Sequence, residues 1–174
     1  MPTPERTSLA AIVTAGRDLL EQGGPAAVSM RAVAERVGVK APSLYKRVRD
    51  RDALLQLVAE ATVDDLGERL AGSDGSLGGL ARAFRDFAHA RPEGFRLMYA
   101  VSGSAEALQR ASEPVLRAAR AAVGEEHALD AARLLTAWAT GFLSMELAGA
   151  FRLGGSVDEA FAYGLARLEE VLAG

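Results

Sequence analysis

Apolar residues recur three and four positions apart along almost the whole chain, the spacing of one face of an α-helix. Over residues 7–22 the stripe is Leu9, Ile12, Val13, Gly16, Leu19 and Leu20, and Gly23-Gly24-Pro25 stops it. Ser29 is a good N-cap for a second helix, in which Ala32, Val33 and Val37 share a face before Gly38 breaks it. A third helix opens near Lys40, with Pro42 tolerable in its first turn and Leu44 and Val48 turned inward, four apart. Asp50 caps a fourth helix running to about Leu70.

Glycines and serines over 72–79 form the clearest loop, and a fifth helix follows at 77–90. A turn at Arg91-Pro92 leads to a sixth helix over 94–101. The seventh is expected over 105–123 with a break or kink near Glu113, before Pro114. The eighth, 128–151, is the longest apolar helix, ended by Gly154-Gly155-Ser156. The ninth enters at Asp158 and runs to Leu172, with Phe161, Leu165, Leu168 and Leu172 on one side. No strand pattern and no fixed-period repeat is visible. The expected class is all-α, in two parts: residues 1–60 as a three-helix head and 61–174 as a helical body.

Charge sharpens the head. Between residues 29 and 49 there are six basic residues and one acid, a local net of +5 in a chain of net −3. Exposed on the second helix of this pair are Pro42, Ser43, Tyr45, Lys46 and Arg47. A basic, hydroxyl-bearing helix after a sharp turn suits a DNA major groove. There is no cysteine, which excludes disulfides, zinc-thiolate sites and cysteine nucleophiles. No apolar stretch is long enough to cross a bilayer and no secretory signal is visible, so a cytoplasmic protein is expected. His89 and His127 form no pair at metal-ligand spacing, and Glu93 near His89 lacks a nucleophile arrangement. Neither an enzyme, a metal site nor a cofactor is expected.

The first helix, then AVAERVGVKAPSLYKRV, then RDRDALL, resembles the TetR family of transcriptional regulators over roughly residues 8–60. The resemblance implies an all-helical homodimer with a three-helix DNA-binding head and an effector-binding body whose last two helices pair the subunits. It implies that Tyr45 and Arg51 contact phosphates, and that Ser29 caps the second helix and touches the backbone. Ala41, Pro42, Ser43 and Lys46 then occupy exposed positions of the recognition helix. Lys40 stands where many members have a capping serine or threonine, and Val48 where phenylalanine is common. With Arg31, these residues form the expected DNA-binding set. AHARPEGFRLMY and AWATGFLSMELAGAF further resemble the body type named for a Trp-His-Gly signature: Trp138 and Gly141 fit it, while Thr140 stands in place of the histidine.

For Tyr45 and Lys46 the alternative is an ordinary solvated helix face. Backbone contacts give affinity and base contacts give specificity; Lys46 can reach guanine acceptors, and Ala41 and Pro42 can meet a thymine methyl. In the body, Phe84, Phe87, Phe95, Met98, Tyr99, Trp138, Phe142 and Met145 are either filled core or the lining of a pocket for an apolar or aromatic effector, with the Trp138 N–H and Tyr99 hydroxyl as polar handles. Gly141, Ser144, Ala148 and Phe151, with Phe161, Leu165 and Leu168, are either internal packing or a symmetric four-helix dimer contact. The expected function is a ligand-responsive repressor on a near-palindromic duplex operator, with no membrane partner; the alternative is a helical protein-binding or scaffold module.

Overall fold

A computed structural model describes residues 8–101 and 105–173, and among these the chain forms nine α-helices and no strand. They are α1 (Leu9–Ala27), α2 (Met30–Arg36), α3 (Ala41–Leu44), α4 (Arg51–Ala71), α5 (Leu77–Ala90), α6 (Pro92–Ala100), α7 (Ala105–Val123), α8 (Ala128–Leu147) and α9 (Val157–Ala173). The all-α expectation holds. The start of the first helix expected at Thr7 lies outside the described residues; Ser8 caps the observed one, its hydroxyl accepting the Ala11 amide at 3.1 Å. No helix among the described residues is long and apolar enough to cross a membrane, and no group of three or more His, Cys, Asp or Glu among them is placed to hold a metal.

Contacts divide the chain into two compact units. The first holds the described residues through Asp65 together with Arg91–Leu108. Its core is Ile12, Leu20, Val28, Met30, Val33, Leu44, Val48, Leu54 and Val58, all buried, and Leu97 of α6 joins it. Each fully buried aliphatic side chain of this kind contributes about 1.5–3 kcal/mol. α1 and α4 approach so closely that a Cβ on Gly16 would stand 2.7 Å from Val58 Cγ2, so only glycine fits there. Within α1 the dihedrals of Gly23 and Gly24 are non-helical, which is the break that Gly23-Gly24-Pro25 predicts. α2 starts and stops as expected. Ser29 Oγ accepts the Ala32 amide at 3.1 Å. At its end Gly38 takes φ +75°, the Val39 amide reaches back to the Ala34 carbonyl (2.9 Å) and the Gly38 amide to that of Glu35 (3.2 Å). That is a Schellman closure, and the side chain of Val39 packs on the core beyond it.

The second unit holds Leu66–Ala90 and the described residues from Gln109 onward. Its buried residues include Leu80, Phe84 and Phe87 of α5, Leu135, Ala139 and Leu143 of α8, and Phe161 and Leu165 of α9. Alanines do the close packing elsewhere: Ala119 of α7 meets Ala131 and Ala132 of α8. Two expectations are corrected here. α7 runs unbroken through the half-buried Pro114, so no break separates its two halves. α8 ends at Leu147, four residues before the expected Phe151. Gly149 is the reason: at φ +62° it closes a second Schellman turn, the Ala150 amide bonding the Met145 carbonyl and the Gly149 amide that of Glu146, each at 2.9 Å. Ser156 caps α9, accepting the Glu159 amide at 3.3 Å, and Asp158 lies in its first turn as expected.

Candidate nucleic-acid interface

The helix pair α2–α3 is anchored from below and exposed above. Leu44 and Val48 are buried in the core of the first unit. α3 itself is short. After Leu44 the backbone tightens, with the amides of Arg47 (2.8 Å) and Val48 (2.9 Å) both reaching the Leu44 carbonyl. The expected longer recognition helix is therefore one α-turn plus a tight turn. Lys40 occupies the N-cap without a side-chain cap bond. Pro42, Ser43, Tyr45 and Lys46 are all exposed, Tyr45 at 55%. Ala41 is corrected: it is half-buried and packs on the core, because the first residue of α3 turns toward α2 rather than outward.

The cations of this region differ in how free they are. Arg31 pairs with Glu35 one turn on (2.9 Å), Arg36 reaches Asp18 (3.5 Å), and Arg49 pairs with Asp50 (2.6 Å). Exposed pairs like these are weak and released at little cost. Lys40 and Lys46 are exposed and have no ion-pair partner among the described residues. Asp50 accepts the Ala53 amide at 2.8 Å, and that bond, followed by the Arg49 guanidinium, holds its carboxyl below the ordinary aspartate range. Arg51 has a second task that the sequence did not disclose. Its Nε donates to the Val28 carbonyl (2.8 Å) and its Nη2 to the Pro25 carbonyl (2.5 Å), tying the start of α4 to the link before α2. Two of its five N–H donors are spent in this way. Both acceptors lie at the broken end of α1, where the Pro25 carbonyl also takes the Val28 amide at 3.3 Å.

The aromatic set falls into two groups. Phe95, Met98 and Tyr99 lie on α6 in the first unit: Phe95 is buried, Met98 half-buried, and Tyr99 exposed with its ring edge-on to Phe95 at 5.5 Å. The others lie in the second unit. Phe84 and Phe87 are buried on α5, so each is core. Trp138 and Phe142 are half-buried and stack with two residues expected elsewhere, Phe151 and Phe161. The Trp138–Phe161 centroids are 5.2 Å apart and those of Phe142–Phe151 4.8 Å. Gly164 makes this possible, since a Cβ there would stand 2.7 Å from the Trp138 ring. Met145 is exposed.

Beside this cluster Arg85 of α5 joins both ends of the α8–α9 connection. It donates to Glu146 (3.1 and 2.5 Å) and to Asp158 (2.6 Å), and its guanidinium lies 4.8 Å over the Phe161 ring. His89 Nε2 stands 3.2 Å from the same Glu146. Burial pushes the Glu146 carboxyl up, but the Arg85 hydrogen bonds and charge outweigh it, and the group is held below its ordinary range.

Of the residues expected at a subunit contact, Gly141, Ser144, Ala148 and Phe151 are exposed, Phe151 at 39%. Phe161 and Leu165 are buried within this one chain and serve internal packing, while Leu168 is half-buried. Periodicity marked their face as apolar without saying what covers it. The exposed stripe on α8 is Leu134, Ala137, Gly141, Ser144, Met145 and Ala148, uncharged throughout. On α9 Tyr163 is 69% exposed. Leu134 and Tyr163 were not anticipated; Leu134 shares the heptad position of Gly141 and Ala148, which was the available signal.

Comparison with known proteins places both parts of the chain. Residues 77–168 match the family described as tetracyclin repressor-like, C-terminal domain. Residues 12–58 match bacterial regulatory proteins, tetR family. The Trp-His-Gly body type expected from Trp138 and Gly141 is not confirmed by the C-terminal match. The tetracycline repressor protein class A from transposon 1721 of Escherichia coli is 29% identical over 157 residues, covering 86% of this chain and 73% of that protein. Among solved structures, a protein of unknown function from Rhodococcus sp. RHA1 superposes with a TM-score of 0.81 at 25% identity, covering 100% of both chains. A variant TetR from Acinetobacter baumannii AYE in complex with minocycline gives 0.72 at 24% identity, over 95% of this chain and 96% of that one, a likeness of fold.

Proposed function

This chain belongs to the TetR family, and we propose that it is a ligand-responsive repressor that binds a near-palindromic operator as a homodimer and is released by a small apolar or aromatic effector. It is a transcriptional regulator with a DNA-binding and a ligand-binding domain, and it is not an enzyme. In the proposal residues 1–60 read the duplex, while residues 61–174 take the effector and pair the subunits. One observation carries it: Tyr45 and Lys46 stand exposed on a turn whose other face, Leu44 and Val48, is fully anchored. Tyr45 supplies a phosphate contact, with Arg31 and the remaining donors of Arg51 beside it. Lys46 reaches base acceptors from the major groove. Ser29 positions α2, and Lys40, Pro42 and Ser43 complete the surface.

Two copies joined along the α8 stripe would set two such edges into successive major grooves about 34 Å apart. Gly141, with nothing within 4 Å of where a Cβ would stand, lets a second backbone come close. The effector lies against Trp138, Phe142 and Met145 of the body. Its effect on DNA is the difference between its affinities for the DNA-competent and DNA-incompetent states. The test is binding to a duplex selected from a random pool, measured against salt. The logarithm of the binding constant falls linearly with the logarithm of salt concentration if phosphates are neutralised. A salt-independent constant, or equal preference for heparin, would instead favour a protein-binding module.

A further inference from the structure

Within the first unit, an open groove of about 440 Å³ lies between α1 and α4. Leu9 and Val13 of α1 and Leu57 and Ala61 of α4 supply its apolar wall, and Glu60 and Asp64 stand along it one turn apart. Asp64 has a polar interaction of its own, so the charge that counts is that of Glu60. Among the described residues the one cation lining the groove is Arg17, and it is bonded to Asp65, so its charge is already answered. Glu60 is half-buried and has neither ion pair nor hydrogen bond among the described residues. A cation brought beside it gains a Coulomb attraction that no neighbouring group already takes up. The volume lies within the range of small-molecule sites. An anion is disfavoured by the same charge, and a small hydrophilic cation would leave the four apolar side chains wet.

We propose that this groove is a binding site for a hydrophobic monocation, its apolar body on Leu9, Val13, Leu57 and Ala61 and its charge beside Glu60. The site is distinct from the aromatic cluster of the second unit and does not depend on that cluster binding anything. It lies on α1 and α4 of the first unit, the unit that also carries α2 and α3.

Two probes of matched size and opposite charge make the test: tetraphenylphosphonium and tetraphenylborate, titrated calorimetrically into the full-length protein. The phosphonium binds saturably, one per chain in the groove, and at least about tenfold more tightly than the borate, the scale of one Coulomb interaction at a partly screened distance. Glu60→Gln, which keeps the shape, weakens the phosphonium about tenfold and does not weaken the borate, narrowing the gap between the two probes. Ala61→Phe, which fills the groove, removes the site, and Trp138→Phe in the body leaves it intact. Melting temperatures of the three variants near that of the parent show that each is folded. Equal affinity for the two probes, no saturable phosphonium binding, or binding indifferent to both Glu60→Gln and Ala61→Phe overturns the proposal. None of these results bears on operator binding, which is measured separately.

Discussion

Individual side chains in the head carry separable duties, and mutation should separate them. Ser29 caps α2 and is half-buried. Ser29→Ala should cost about 1 kcal/mol of stability, read as a lower urea midpoint, whether or not DNA is present. Lys46 does the reverse. It is exposed and unpaired among the described residues, so Lys46→Ala should leave the melting temperature unchanged while costing about 1–3 kcal/mol of discrimination if it meets a base, or about one unit of salt slope if it meets a phosphate. Arg51 mixes the two. Its bonds to the Val28 and Pro25 carbonyls mean that Arg51→Ala should lower both stability and DNA affinity, so it cannot be read as a pure phosphate contact. Caps were legible in the sequence because a hydroxyl or carboxylate three residues before an amide is a local arrangement. The role of Arg51 was not, because its acceptors lie 23 and 26 residues away.

Helices raise a different question: which face meets what. The boundaries of α2, α5 and α7 follow from caps, glycines and prolines, and were legible. The end of α8 was not, because Gly149 and Gly154 both qualify and the choice is made by closure on Met145 and Glu146. Likewise Phe161 and Leu165 were readable as apolar but not as internal; that depends on Gly164 admitting Trp138. The clamp of Arg85 on Glu146 and Asp158 holds α5, α8 and α9 in this arrangement. Glu146 has a folded-state pKa below its ordinary value of 4.5, so its contribution is complete above that value and is lost as pH falls through the lower folded value. Glu146→Gln should therefore cost about 2 kcal/mol at neutral pH and flatten the acid limb of the stability curve, as urea melts between pH 3 and 7 would read. Gly141 offers the cleanest probe of subunit pairing. Gly141→Leu meets nothing within the chain and gains helix propensity, so the single chain should be at least as stable. A leucine standing on the α8 stripe should nevertheless hold two chains apart. Sedimentation equilibrium should show a dimer for the parent and a monomer for the variant.

At the scale of the whole molecule, the regulator account joins a duplex-reading unit to a ligand-reading one by free energy alone. The chain has a single tryptophan, Trp138, and it lies in the aromatic cluster of the second unit. An effector bound there should change its fluorescence, and if it lowers DNA affinity by some factor, DNA should lower its own affinity by the same factor. All of this presupposes that the exposed edge of α3 is what touches the duplex. Affinity of Tyr45→Ala/Lys46→Ala for a duplex selected with the parent protein, at one fixed salt concentration, tests that most directly. The account predicts a loss of at least about a hundredfold with the dimer mass and melting temperature unchanged. Parental affinity in the double variant would contradict it.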